Sequence, residues 1–324
     1  MTVIASPVAT GERKHAGPHA MVTGERTFPG IHTSPRRPWR GPITTIVTHG
    51  FSAEPRSFGP TPPVALPGEA PASRLAWLAR GGVDAGAYAI AIHSDRMPDA
   101  QLRVLEMLRT TVFSSRLGIY ATSLSPLASR VFGGLVADLA PHLPEAGRLF
   151  AVLPRLEREL TAFAWVDSVA RLETPSPTKS QIAASLLPGT AFGVSVSPDQ
   201  EIVRLSSDRR LPELPELDGD REVVVANRTA NPSWVADSVE PAFGGHEVRD
   251  EEEPEGAASD WWGTRQVVEV VAYPTDVRAL ADRLSRGLRA SPCRWCGEPM
   301  AAKLCPFCRQ RRVRRRRPAP AVAA

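Results

Sequence analysis

Short runs of apolar residues alternate along the middle of the chain with longer segments whose apolar residues recur every three or four positions. The short runs, such as YAIAIHS (88–94) and REVVVANR (221–228), are typical of buried β-strands. The longer segments, one of which begins at Asp99, have the spacing of amphipathic helices. This alternation predicts an α/β fold, in which a mixed or parallel sheet is covered by helices.

Individual segments give more specific predictions. ITTIVTHGF (43–51) has the β-branched content of a first strand, and RQVVEVVAY (265–273) predicts a later strand. Residues 146–171 are predicted to be largely helical because their leucines and valines keep a helical register. Asn231, which precedes a proline, predicts the start of a short helix, and Thr275 predicts the cap of another.

The two ends of the chain differ in composition from the middle. Proline, glycine, histidine and arginine are mixed near the start without periodicity, which predicts disorder because little apolar surface can be buried there. A run of acids from Asp250 to Glu253 predicts a solvated loop, or alternatively an internal partner for the basic residues. The predicted divisions are a disordered arm (1–41), an α/β domain (42–290) with a proline-rich loop (52–71) and an acidic loop (247–260), a cysteine-rich segment (291–310) and a disordered basic tail (311–324).

The positive charge of the chain is concentrated near its last residues. The formal net charge is +4, and seven clustered arginines contribute +7, which leaves −3 for all other residues. Guanidinium groups bind phosphate oxygens and carboxylates, so the cluster predicts a site for nucleic acid, another anion or an acidic protein. The arginines are Arg309, Arg311, Arg312, Arg314, Arg315, Arg316 and Arg317.

The four cysteines form two pairs, with two residues inside each pair and eight between the pairs. Two CxxC turns can place four thiolates at the corners of a tetrahedron around one ion. Zn²⁺ is the ion that such a closed thiolate shell favours, and four protein ligands leave no position for a catalytic water. A redox dithiol pair and an iron or iron–sulfur site are the alternatives. The predicted ligands are Cys293, Cys296, Cys305 and Cys308.

The segments CRWCGE and LCPFCR resemble the two knuckles of the short zinc-ribbon family. In that family a brief hairpin separates a CPxCG-type knuckle from a second CPxC knuckle. The resemblance implies that the four cysteines hold zinc, and it covers only the cysteine-rich segment (291–310), which we call the ribbon. Arg309 stands where a second glycine is common in the family, and the spacing between the pairs is short.

The stretch ITTIVTHGF resembles the strand and His-Gly turn that precede the oxyanion loop of α/β-hydrolases. In that family the nucleophilic serine lies on a turn between a strand and a helix. The resemblance implies Ser123 as nucleophile and His246 as base, with Asp237 as the nearest third member of a triad. The turn at Ser123 lacks the two glycines of the family pattern.

Together these features predict a non-catalytic zinc-binding protein of the cytoplasm. The ribbon and the arginine tail are predicted to attach the α/β domain to nucleic acid or to an acidic protein partner, in a regulatory or assembly role. The alternatives are a serine hydrolase that uses Ser123 and His246, and an adaptor that contacts only proteins. No apolar run has the length of about 20 residues that a membrane span requires, and the first residues lack the pattern of a signal peptide.

Overall fold

The computed structural model describes residues 43–48, 56–58, 88–111, 117–206, 210–212, 214, 219–244, 246–251 and 257–311. The predicted arm (1–41), most of the proline-rich loop (52–71) and residues 312–324 of the tail lie outside this part of the chain. The strands are β1 (Ile43–Thr48), β2 (Arg56–Phe58), β3 (Tyr88–Ser94), β4 (Leu117–Thr122), β5 (Thr161–Val166), β6 (Phe192–Ser197), β7 (Glu201–Arg204), β8 (Arg221–Ala226), β9 (Val248–Asp250), β10 (Val267–Pro274), β11 (Ser291–Pro292) and β12 (Pro299–Met300). The helices are α1 (Asp99–Thr111), α2 (Pro126–Leu139), α3 (Ala146–Glu157), α4 (Lys179–Ala184), α5 (Pro232–Trp234), α6 (Glu240–Ala242), α7 (Ala257–Trp262) and α8 (Val277–Ser285), with a π-helical turn (Val235–Val239) between α5 and α6.

The described strands form two larger sheets and one small hairpin. The first sheet has the order β2-β1-β3-β4, in which β1, β3 and β4 are parallel and β2 is antiparallel to β1. The second has the order β7-β6-β5-β10-β8-β9 and is antiparallel except for the parallel pair β8 and β9. Strands β11 and β12 form the hairpin of the ribbon. The predicted α/β class with a mixed sheet is confirmed, although the sequence pattern did not separate the two sheets.

Helix α2 is buried on most of its surface because it contacts both larger sheets. Ile92 of β3, Phe132 of α2 and Val271 of β10 belong to one continuous apolar core. On the other face of the six-stranded sheet, Phe163 packs against Trp234 in a second core. Strands β5 and β10 are therefore covered on both faces, which explains why their sequences are almost continuously apolar. Within the described residues no helix is both long and apolar enough to cross a bilayer.

Two local predictions were wrong. The segment predicted to be largely helical (146–171) is helical only as far as Glu157, and strand β5 follows from Thr161. The apolar residues of β5 continue the helical spacing of the preceding segment. Successive side chains along the strand are, however, buried alternately on the two faces of the sheet. The cap of α8 is Asp276 rather than Thr275, because the Asp276 carboxylate accepts a hydrogen bond from the backbone N–H of Ala279 at 2.9 Å.

A fully buried carboxylate connects β10 to the first turn of α2. Glu269 is 0% exposed, and its Oε2 accepts a hydrogen bond from the backbone N–H of Leu127 at 2.9 Å. The indole N–H of Trp262 donates to its other oxygen. Burial raises the pKa of Glu269 to about 7, against the opposing effect of the hydrogen bonds from Trp262, Leu127 and Ser125. The negative form of Glu269 is favoured by the helix N-terminus and disfavoured by loss of water.

This carboxyl predicts a specific dependence of stability on pH. Because the folded pKa lies above the ordinary value of 4.5, the folded chain holds a proton that the unfolded chain releases between these two values. The contribution of Glu269 to the free energy of unfolding is therefore greatest at low pH and falls as the pH rises through about 7. We expect wild type to lose about 2–3 kcal/mol relative to Glu269→Gln between pH 5 and pH 8, measured by urea unfolding at both values.

Comparison of the two pH values cancels effects that do not come from ionisation. The glutamine side chain of the Glu269→Gln variant places an N–H group near one of the two donors. This contact lowers the free energy of unfolding, but by the same amount at both pH values. Glu247→Gln, at an exposed site, is the matched control and is expected to follow wild type. An equal pH dependence in wild type and Glu269→Gln would contradict the proposed origin of the effect.

Candidate metal centre

The two CxxC segments fold into knuckles with the same backbone hydrogen bonds. In the first, the N–H of Gly297 donates to the carbonyl of Cys293 at 3.0 Å, and the N–H of Cys293 donates to the carbonyl of Glu298 at 2.8 Å. In the second, Arg309 donates to Cys305 at 3.0 Å, and Cys305 donates to the carbonyl of residue 310 at 2.9 Å. The same turn therefore occurs twice, and it presents two sulfurs each time.

The fourth residue after the first cysteine of each knuckle has a left-handed backbone. Gly297 has φ of 81°, which glycine adopts without steric cost. Arg309 occupies the equivalent position with φ of 59°, in a region that residues with a Cβ seldom adopt. The second knuckle therefore has the same turn conformation as the first, although Arg309 stands where the zinc-ribbon family commonly has glycine.

The four sulfurs lie within 4.8 Å of one another. Cys293 Sγ is 3.5 Å from Cys308 Sγ, and Cys296 Sγ is 3.5 Å from Cys305 Sγ. An ion with tetrahedral bonds of about 2.3 Å to sulfur holds its ligands about 3.8 Å apart, close to these separations. The cysteines are free, and 3.5 Å is far beyond the length of a disulfide, about 2.05 Å. The residues present therefore fit a single metal ion.

The thiols differ in acidity before any ion is considered. Hydrogen bonds from the Cys296 thiol and from backbone N–H groups lower the pKa of Cys305 to about 5. Its hydrogen bond to Cys305 and its burial raise the pKa of Cys296, and burial raises the pKa of Cys308 to about 11. A cation among the four sulfurs favours the thiolate form of all of them.

The second knuckle is packed onto the α/β domain through Phe307. This side chain is 0% exposed, and its ring lies 6.1 Å from the ring of Phe150 on α3, in an edge-to-face arrangement. Arg109 of α1 donates a hydrogen bond to the carbonyl of Phe307 at 2.9 Å. A Cβ added to Gly118 of β4 would lie 3.1 Å from the Phe307 ring. The ribbon thus contacts three elements of the domain.

The first knuckle is packed onto the start of α3. Glu298 is 0% exposed, and its Oε2 accepts a hydrogen bond from the backbone N–H of Gly147 at 3.3 Å. A carboxylate at this position compensates the positive end of the helix dipole. A Cβ added to Gly147 would lie 1.9 Å from the carbonyl oxygen of Pro299, so the ribbon and the helix touch through their backbones. The ribbon is consequently an integral part of the described fold and does not project from it.

The first arginine of the predicted anion-binding cluster faces the protein. The Arg309 guanidinium forms an ion pair with Glu106 of α1, which also pairs with Arg109. Although burial opposes it, the hydrogen bonds from Arg309 and Arg109 lower the pKa of Glu106. Arg311 forms an isolated backbone bridge with Leu304. Anion binding by the arginines stays a prediction, since the remaining five, Arg312, Arg314, Arg315, Arg316 and Arg317, lie outside the described residues.

The acidic loop contacts arginines of the domain. Asp250 pairs with Arg228 at 2.6 Å, and Glu251 pairs with Arg130 of α2. Residues 252–256 lie outside the described part of the chain. Asp250 and Glu251, the described acids of the run from Asp250 to Glu253, therefore serve as partners for arginines within the α/β domain.

The structure does not bring the predicted hydrolase residues together. Ser123 lies in the connection between β4 and α2, whereas His246 Nδ1 is 3.1 Å from the carbonyl of Arg221 at the start of β8. Asp237 lies on the π-helical turn. Within the described residues no hydrogen bond joins any two of Ser123, His246 and Asp237. These residues do not form a catalytic triad.

No family model matches the chain, and no curated protein matches it. Among solved structures, it is similar to a DegV family protein from Thermus thermophilus described by its fatty acid binding, with 12% identity and a TM-score of 0.44 over 69% of this chain and 80% of that one. DegV from Bacillus subtilis, described as a fatty acid binding protein, aligns at 13% identity and a TM-score of 0.41 over 68% and 79% of the two chains. A DegV family protein from Corynebacterium glutamicum aligns at 11% identity and 0.44 over 73% and 99%.

These neighbours overturn the function predicted from the sequence. All three are described as DegV or DegV family proteins, and two of them by fatty acid binding. The prediction that the ribbon and tail attach the domain to nucleic acid or to an acidic protein partner is therefore wrong, and so are the hydrolase and adaptor alternatives. The neighbours give no support for zinc, so metal binding depends on the cysteine cluster. Fatty acid binding is a property of those proteins, and at this identity the likeness concerns the fold alone.

Proposed function

We propose that the chain binds one Zn²⁺ through Cys293, Cys296, Cys305 and Cys308, and that this ion has a structural role. The observation that carries the proposal is the convergence of four free sulfurs within 4.8 Å from two knuckles with the same hydrogen bonds. Thiolate ligands suit zinc better than calcium or magnesium, which prefer oxygen. A shell of four protein ligands holds the fold together and provides no open position for a substrate.

The structural role follows from where the knuckles lie. Each knuckle contacts the domain through a buried side chain, Glu298 in the first and Phe307 in the second. The hairpin between the knuckles has strands of only two residues each. Such a short hairpin cannot supply enough buried surface to fix both knuckles, so a cross-link between them is needed. The proposed ion supplies this cross-link and so holds Glu298 and Phe307 at the domain surface.

The test is the metal content of the purified full chain. We expect native mass spectrometry to show one zinc per chain, and cobalt replacement to give the strong visible absorption of a tetrahedral tetrathiolate site. Cys305→Ser should lose the ion under the same conditions, because a neutral hydroxyl is a poor replacement for a thiolate.

A control separates loss of a ligand from general damage to the ribbon. Trp295→Ala changes a residue between two of the ligands that is 76% exposed, and it should retain the full metal content. A native chain without metal, or one whose cysteines are paired as disulfides, would overturn the proposal. Retention of an iron–sulfur chromophore in place of zinc would also overturn it.

A further inference from the structure

An open cleft of about 320 Å³ lies beside the six-stranded sheet, on the face that α5 and the π-helical turn cover. Trp165 of β5 forms one wall, Leu205, Ser206 and Arg210 follow β7 on another side, and five residues between positions 231 and 238 complete it. The volume is at the lower end of the range of small-molecule sites, about 300–1,000 Å³. None of the described residues that line the cleft belongs to the ribbon.

The walls of the cleft are fixed by hydrogen bonds within the protein. Asn231 Oδ1 accepts hydrogen bonds from the backbone N–H of Trp234 at 3.1 Å and from the Ser233 hydroxyl at 3.0 Å. The indole N–H of Trp234 donates to the carbonyl of Arg210 at 2.9 Å. The Trp234 ring is packed edge-on against Phe163, with 6.2 Å between the ring centroids. The shape of the cleft is therefore present before any ligand enters.

The π-helical turn places polar residues at the cleft. Val235 and Val239 are fully buried in the core, whereas Asp237 is exposed and lines the cleft together with Ser238. A π-helical turn is less stable than a regular α-helical turn, and such turns occur frequently at functional sites. Here the irregular turn keeps Val235 and Val239 in the core, while Asp237 and Ser238 line the cleft.

The charges of the cleft are balanced. Asp237 and Arg210 both line it, and within the described part of the chain neither forms an ion pair. One carboxylate and one guanidinium in the same cleft give no net preference for an anion or for a cation. The partly buried indole of Trp165 adds a flat apolar surface to this polar set.

We propose that this cleft binds a neutral ring that carries several hydroxyl groups, as in a mono- or disaccharide. The C–H face of such a ring packs on the indole of Trp165, and its hydroxyls donate to the Asp237 carboxylate. Arg210 supplies donors to the ring and hydroxyl oxygens, and the Ser233 oxygen, whose proton is directed to Asn231, can accept from a sugar hydroxyl. The proposal uses residues of the α/β domain only, so it does not depend on the metal centre.

The test is calorimetric titration of the metal-loaded full chain with glucose, N-acetylglucosamine, maltose and trehalose. We expect at least one of these sugars to bind with a Kd of about 1 mM or tighter. Asp237→Ala should weaken that binding at least about tenfold, because it removes charged hydrogen bonds. Asp260→Ala, which removes an exposed aspartate from α7, is the matched control and should bind as wild type does.

A second pair of variants tests the stacking surface. Trp165→Leu removes the flat ring, whereas Trp295→Leu removes an exposed tryptophan of the ribbon. Only Trp165→Leu should weaken sugar binding. The melting temperature of Asp237→Ala shows whether that variant is still folded. Failure of all four sugars to bind, or equal binding by Asp237→Ala and Asp260→Ala, would overturn the inference. Tighter binding of inorganic phosphate or spermidine than of any sugar would also overturn it, because the ligand would then be charged.

Discussion

Removal of the metal with a chelator is expected to lower the free energy of unfolding by at least about 4 kcal/mol, the linkage expected for an ion present at about 1,000 times its Kd. The loss is large because the ion would connect the two knuckles. The side chains that attach these knuckles to the domain, Glu298 and Phe307, are both fully buried. Without the ion, four sulfurs within 4.8 Å have no common partner. The measurement is urea unfolding with zinc and with chelator, followed by circular dichroism.

We expect removal of the metal to unfold the ribbon before it affects the rest of the chain. We expect brief proteolysis of the metal-free chain to cut within the ribbon (291–310) while the α/β domain remains intact, because separate parts of a fold open at different free energies. Cys305→Ser should show the same cuts without a chelator. Unchanged stability and unchanged cleavage after complete removal of zinc would show that any bound ion is adventitious.

Gly147→Ala is expected to have the second largest effect, a loss of about 3 kcal/mol in the free energy of unfolding. The added Cβ would lie 1.9 Å from the backbone carbonyl oxygen of Pro299, so either the ribbon or the first turn of α3 must move. That movement also breaks the hydrogen bond between Gly147 and Glu298. Urea unfolding measures the loss, and faster transfer of zinc to a chromogenic chelator reports the displaced ribbon.

Gly134→Ala provides a matched control for this substitution. Gly134 lies within α2, and a Cβ added there meets nothing within 4 Å. The control should therefore gain about 0.5–1 kcal/mol, since alanine restricts the unfolded chain and favours the helix. Similar values for the two variants would contradict the close contact between the ribbon and α3.

Features that depend on neighbouring residues were predictable from the sequence. The spacing of the cysteines identified residues that come together in the fold, because each knuckle is a turn of six residues. Strands such as β3, β8 and β10 were evident because both of their faces must be apolar. Asn231 was predicted as a helix cap, and its side chain accepts the expected hydrogen bond from Trp234.

Features that depend on distant residues were not predictable. Gly147 and Glu298 are 151 positions apart, and Arg109 and Phe307 are 198 apart, so no local pattern relates them. Glu269 stands out as the single charge in an apolar strand, yet nothing in that strand indicates that it would meet α2. The cleft is assembled from three separate segments of the chain. A single sequence reports its own local preferences and leaves such pairings undetermined.

The contact between Glu298 and the start of α3 has a consequence for biosynthesis. After Gly147 has been translated, about 150 further codons follow before Glu298, whose carboxylate accepts the Gly147 N–H at the start of α3. Until the two knuckles have been translated, the start of α3 lacks the Glu298 carboxylate and the Phe150 ring lacks its contact with Phe307. A chain that ended before the ribbon would therefore lack both of these contacts.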